Sequence, residues 1–270
     1  MSTPRPTFDR RARVPARLTA AVVALLTLAG LADAVGQAPE GRLPFQVGER
    51  LVYQVRVAKL GTIGKGVMSV EGPEDVRGEQ TYRLRFSFKT RVGPVKAVNQ
   101  SESWVDPRRM IALRFHKHER HPLSRHDEAV EIYPDQRRWE EADGTMREST
   151  TDAPLDELSF MYFLRTLPLT PDTVYTFTRH FDPARSPTTV RVVRRETITT
   201  GAGEFPTVLV EMRVKDPRRY RGEGVIRINI SEDPCRLPVR IESAMPLVGT
   251  GVLTLESYTH PPEHFAEHPR

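Results

Sequence analysis

With 270 residues, 38% of them hydrophobic and 28% charged with both signs interspersed, the chain is too apolar for a disordered protein and long enough to bury a core. Five Arg (Arg5, Arg10, Arg11, Arg13, Arg17) against Asp9 and Asp33 give residues 1–34 a net +3, which leaves +2 of the formal +5 for the remainder, too little for a nucleic-acid footprint. Cys235 is the only cysteine, which excludes an intrachain disulfide and a Cys-rich zinc site.

The Arg-rich opening leads into the apolar run Leu18 to Leu31 and then to Ala32-Asp33-Ala34. A positive end, a short apolar segment and a small-residue cleavage pattern predict a secretory signal peptide over 1–34, followed by a linker over 35–43. The rival reading is a retained single membrane helix with the domain outside; the run is 14 residues, short of the ~17 to 25 that span a bilayer, which favours cleavage, and no integral membrane span is expected once the signal is removed. From residue 44 the apolar residues recur at every second position, as in Leu51, Tyr53, Val55 and Val57, then Tyr82, Leu84, Phe86 and Phe88, and later Ile226, Ile228 and Ile230. That is the period of a half-buried strand. Gly-containing turns separate the runs, and "GTIGKG" (61–66) and "GAGEF" (201–205) read as hairpin turns, the first lacking the GKS or GKT ending of a phosphate loop. Many short strands with regular punctuation predict an all-β, mainly antiparallel sheet, curved so that long edges are not left bare.

One stretch breaks the alternation. "DELSFMYFLRTLPL" (156–169) predicts a helix over about 154–167: Pro154 suits a first turn, Asp156 and Glu157 favour the positive dipole end, and Pro168 stops it. Phe160, Met161, Phe163, Leu164 and Leu167 spread its apolar surface nearly all round, so it is expected to be buried, between two β layers or inside one curved sheet. It divides a single domain (44–258) into strand groups 44–150 and 172–258, and the polar tail 259–270 is expected to be disordered.

Five segments in order resemble the domain of unknown function 3108 family of exported bacterial cell-envelope proteins. They are "LPFQVGERLVYQVRVAKLGTIGKG" from Leu43, "SESWVDPRRMIALRF" from Ser101, the helix segment, "ETITTGAGEFPTVLVE" from Glu196 and "GEGVIRINISEDPCRLPVRIESAMPLVGTGVLTLESY" from Gly222. The resemblance covers Leu43 to Tyr258, and "HKHERHPLSRHDEAV" (116–130) is richer in His and charge than the usual pattern. It implies a β-rich protein of the cell envelope, periplasmic or secreted, and brings no catalytic residues. It also makes an incomplete barrel wrapped about the helix the more attractive layout, similar to periplasmic carriers of lipids and lipoproteins.

The sites predicted are correspondingly few. His116 and His118, two apart on one strand face, are a weak candidate metal pair, and the competing reading is a solvated polar face. No catalytic residue is assigned. Cys235 lies between two prolines in "EDPCRLPV", a context that predicts a β turn or short edge strand rather than a helix N-terminus that would activate it. If the strands curve about the helix, Tyr53, Phe86, Phe88, Leu158, Tyr162 and Phe163 line either a filled core or an apolar ligand pocket, with Phe160 beside them. The function expected is a non-enzymatic exported envelope protein that binds a lipid, a lipoprotein component or another envelope protein, with no cofactor. The alternatives are a hydrolase or carbohydrate-active enzyme whose carboxylates converge only in the fold, and a scaffold without a small ligand.

Overall fold

The structure, a computed structural model, describes residues 43–92, 95–121, 124–217, 222–245 and 249–261. The signal peptide and most of the linker expected at the N-terminus lie outside the described residues, as do residues 262–270 of the tail.

The alternating runs form strands β1 (Arg50–Val57), β2 (Gly61–Val76), β3 (Glu79–Val92), β4 (Val95–Asp106), β5 (Ile111–His121), β6 (Ser124–Tyr133), β7 (Arg138–Glu141) and β8 (Met146–Glu148). A helix, α1 (Glu157–Leu164), follows, and then β9 (Val174–Phe177), β10 (Thr188–Thr200), β11 (Gly203–Lys215), β12 (Glu223–Ser231), β13 (Pro238–Met245) and β14 (Gly249–Thr259). All fourteen strands join one antiparallel sheet in the order β8 to β1, then β14 to β9. Each group is therefore a meander, and pairing of β1 with β14 fuses the two. The two packed layers considered from sequence are replaced by one curved sheet. Its edge strands, β8 and β9, have only three and four residues, which limits the unpaired backbone they present.

The open seam is stitched by the segment before α1. Pro154 O accepts from Ala112 N at 2.8 Å, while Leu155 forms a parallel bridge with His180 through Leu155 N to Arg179 O (2.6 Å) and Phe181 N to Leu155 O (3.0 Å). The buried Arg179 guanidinium adds bonds to Ala153 O and Met110 O, both 2.7 Å, and lies 4.5 Å over the Phe163 ring.

These bonds also correct the helix bounds. Pro154 and Leu155 are committed to strand-like pairing, so α1 starts at Glu157 and not at 154. Asp156 is its N-cap: Oδ1 accepts from Leu158 N (2.8 Å) and Ser159 N (2.9 Å), and Ser159 Oγ accepts from Asp156 N (2.8 Å), a reciprocal capping box. At the other end Arg165, Thr166 and Leu167 form tightened i to i+3 turns before Pro168, so the helix ends at Leu164 and not at 167. Leu158, Ser159, Phe160, Tyr162, Phe163 and Leu164 are all buried, and Phe163 meets Phe177 of β9 edge to face at 5.2 Å. Such aromatic pairs add about 0.5–1.5 kcal/mol to burial itself.

Two further expectations shift. "GTIGKG" is the start of β2 and not the turn, which lies at 58–60. Gly66 is closely packed: a Cβ there would stand 3.3 Å from the Phe86 ring and 3.4 Å from Val55, so those side chains would have to give by a few tenths of an ångström. The tail is also held further than expected. Thr259 pairs with Arg50, His260 Nδ1 lies 3.0 Å from Glu49 Oε2, and Pro261 O accepts from Gln46 Nε2 at 2.9 Å.

Candidate functional site

Sheet register determines what faces inward. Two rungs cross the first strand group: Leu51, Met68, Phe86, Ser101, Lys117 and Glu128 are successive partners, and so are Tyr53, Gly66, Phe88, Asn99, Glu119 and His126. Each rung passes from apolar to polar side chains as it moves from β1 to β6. In the second group the corresponding rungs stay apolar, as in Val55, Leu253, Ile241, Ile228 and Val210.

Helix α1 fills one end of the enclosed space, and a cavity of about 310 Å³ remains beside its first turns. That is about twice the ~150 Å³ apolar cavity that accepts benzene. Its apolar wall includes Met68, Phe86, Phe88, Leu158, Ile241 and Leu253, and its polar wall includes Asn99, Ser101, Lys117, Glu119, His180 and Arg185. Of the six residues predicted to line a pocket, Phe86, Phe88 and Leu158 do so. Tyr53, Tyr162 and Phe163 lie in the packed core: Tyr53 donates its hydroxyl to Pro238 O at 2.8 Å, and Tyr162 meets Phe45 edge to face at 4.9 Å.

The polar wall is an ion network. Glu157, the first residue of α1, takes Lys117 on Oε1 and Arg185 on Oε2 (2.9 Å), with His180 Nε2 at 3.9 Å. Arg185 also reaches Glu128 at 3.1 Å, which ties the segment before β10 to β6 across the seam. Burial alone would raise the Glu157 carboxyl, but Lys117, His180 and Arg185 together hold it well below the usual carboxylate range. His180 Nδ1 accepts from Asp182 N at 3.1 Å, which leaves Nε2 as the proton-bearing nitrogen of the neutral ring.

Asp156 behaves oppositely. It is fully buried, and burial pushes its carboxyl up to about 6 against the hydrogen bonds from Ser103 Oγ (2.5 Å) and Ser159. With a folded value above the ordinary 3.8, the folded state binds the proton more tightly, so this group's contribution to stability falls as pH rises through that window. Asp156→Asn retains a capping side chain and is expected to remove this component. The check is urea unfolding across the same pH range, where indistinguishable slopes for variant and wild type contradict the assignment.

His116 and His118 project from the outer face. His116 packs edge-on against Trp104 at 5.0 Å, and burial lowers its pKa, whereas His118 pairs with Asp127. Among the described residues no group of three or more His, Cys, Asp or Glu is placed to hold a metal ion. Sequence reasoning missed Lys117, Glu119, Arg185 and His180. A signal for the first two existed, because they share strand parity with the apolar Phe115.

An unclosed antiparallel barrel with an internal helix and a two-faced cavity defines a class of β-barrel-like proteins. The chain belongs to the family described as "Protein of unknown function (DUF3108)", whose profile matches residues 52–256. Among solved structures it is similar to a β-barrel-like protein of domain of unknown function DUF1849 from Brucella abortus, at 12% identity and TM-score 0.54, over 81% of this chain and all of that one. It is also similar to a candidate exported protein with a YmcC-like fold from Bacteroides fragilis, at 14% identity and TM-score 0.37, over 80% of this chain and 98% of that one. A candidate lipoprotein from Parabacteroides distasonis matches at 11% identity and TM-score 0.35, over 80% and 97%. These likenesses concern the fold alone. No curated protein matches the chain, and no helix among the described residues is long and apolar enough to cross a membrane.

Proposed function

We propose that the protein is a non-enzymatic binding protein of the bacterial envelope that takes the chain of a single-chain amphiphile into its cavity. The observation that carries this reading is the change of wall chemistry around one cavity, from Met68, Phe86 and Phe88 to Asn99, Lys117 and Arg185. An acyl chain against the apolar wall gains about 0.8 kcal/mol for each methylene removed from water. The cations beside it are already matched by Glu157 and Glu128, so the favoured head is neutral and polar, such as an ester, amide or hydroxyl. Envelope localisation rests on the signal-like N-terminus and on the exported character that the resemblance implies.

The hydrolase alternative needs a carboxyl pair available to substrate. Asp156 is committed to the capping box and Ser103, and Glu157 to Lys117 and Arg185, which favours binding over catalysis.

Native mass spectrometry of the protein purified from its own host tests the reading. A bound mass released by organic solvent and identified as a single-chain amphiphile is the expected result. Recovery of unliganded protein only, together with failure to bind a fluorescent acyl probe, overturns it.

A further inference from the structure

The cavity reaches the end of the sheet where β1 turns into β2, since Val57, Ile63, Lys215 and Gly251 line it. The outer face at that end has an unusual charge pattern. Arg91 of β3 stands directly opposite Lys96 of β4, and Arg120 of β5 directly opposite Arg125 of β6. Like charges in direct cross-strand register destabilise a hairpin, yet two neighbouring hairpins carry them. Lys89 and Arg56 lie on the same outer face, and all six basic residues are exposed.

Apart from Arg125, which binds Asp127, none of the six has an ion pair among the described residues. The opposite end of the same strands differs: Arg77 pairs with Glu131, Arg83 with Glu71 and Glu74, Arg85 with Glu71 and Glu102, and Arg109 with Asp106. Within strands β3 to β6 the basic residues without an ion pair among the described residues, Lys89, Arg91, Lys96 and Arg120, are therefore gathered at one rim, although the chain after residue 34 is close to neutral.

Leu60, on the β1–β2 turn of this rim, is 51% exposed. Single-stranded nucleic acid would stack its bases on exposed aromatic faces, and the large hydrophobics exposed among the described residues are Leu60, Met146, Val174 and Tyr258. None of the basic six adjoins an exposed aromatic in the ladder.

We propose that this basic rim, with Leu60 at its turn, docks on an anionic phospholipid bilayer and so brings the mouth of the cavity to the membrane surface. Charge complementarity carries the choice of partner: phosphate headgroups would relieve the opposed Arg91/Lys96 and Arg120/Arg125 pairs, and an apolar turn residue can enter the interface. The inference goes beyond the cavity reading and can fail separately from it, because docking is measurable with an empty cavity.

The test is co-sedimentation of the protein with phosphatidylcholine vesicles with and without phosphatidylglycerol, at about 0.1 M and about 1 M salt, where the screening length falls from ~10 to ~3 Å. Binding is expected only with phosphatidylglycerol and only at low salt. The combined variant Lys89→Gln, Arg91→Gln, Lys96→Gln and Arg120→Gln is expected to weaken it by roughly a hundredfold or more. The same variant is expected to keep or raise the melting temperature, because it removes opposed like charges, so lost binding cannot be ascribed to unfolding. Equal binding to uncharged vesicles, unchanged binding by the variant, or tighter binding to duplex DNA than to the anionic vesicles at the same salt overturns the proposal.

Discussion

Arg165→Met is expected to lower the unfolding free energy by about 3–5 kcal/mol, the usual consequence of leaving one partner of a buried ion pair alone. Arg165 and Glu49 are among the most deeply enclosed charges, with 1% and 0% of their side chains exposed. The guanidinium donates to Glu49 Oε1 at 2.7 Å and Oε2 at 2.8 Å, to Pro44 O at 2.9 Å and to Cys235 O at 2.8 Å. It also sits over the rings of Phe45 (5.2 Å) and Tyr162 (5.3 Å). One side chain thus joins the end of α1 to the segment before β1 and to the β12–β13 connection.

The sign of the pH dependence makes this prediction specific. In the wild type, burial would raise Glu49, but the charge and hydrogen bonds of Arg165, with His260, bring it below its ordinary 4.5. Its contribution to stability is therefore present above that pH and is lost as pH falls through the lowered folded value. Without Arg165 the burial effect is largely unopposed, Glu49 rises, and its contribution reverses: the variant becomes relatively more stable as pH falls. Urea unfolding on both sides of pH 4.5 reads both size and sign. Adding Glu49→Gln to Arg165→Met is expected to recover part of the loss, because no buried charge remains. A deficit below about 1 kcal/mol, within the range of an exposed pair, would contradict the burial argument.

Much of this fold is legible in the residues, and the reason is the strand period. Leu51, Tyr53, Val55 and Val57 alternate because one face of β1 is interior, and the same holds for Tyr82 to Phe88 in β3. The helix is legible from its proline stop and acidic start. Its limits are not, because Pro154 and Leu155 are held by distant Ala112 and Arg179, which local propensity does not register. The site divides in the same way. Aromatic character marks Phe88 and Phe163 alike as interior, but whether a ring faces a void or another ring depends on its partners, and Phe163 has Phe160, Phe177 and Arg179. Strand β5 misleads for a different reason. A register shift opposite Trp104 and Val105 changes which residues face in, so Ile111 and Leu113 join Trp104 in an outer cluster while Phe115 and Lys117 face inward. The attention drawn by His116 and His118 in the sequence belongs to the residues between and after them. Arg185 and His180 come from irregular segments with no period to read.

Ile241→Trp is expected to lower affinity for a single-chain amphiphile at least tenfold, or about 1.4 kcal/mol, with a small effect on stability. Ile241 is half-buried on β13, between Ile228 and Leu253 in register, and its side chain borders the cavity. A larger side chain there grows into open volume, which avoids the roughly 1–3 kcal/mol strain of overpacking a filled core. It also takes the space that the apolar chain would occupy, and the ion network on Lys117 and Arg185 on the far wall is left intact. The internal control is Glu242→Trp, one residue along the same strand and therefore on the opposite face, where the indole adds the same bulk without entering the cavity. Acyl-probe titration of both variants, with thermal melts alongside, separates the outcomes. Loss in Ile241→Trp alone places the ligand between the helix and the apolar wall. Equal loss in both variants, or wild-type affinity in Ile241→Trp, means that the chain is held somewhere other than this cavity, and the reading built on its two-faced wall falls.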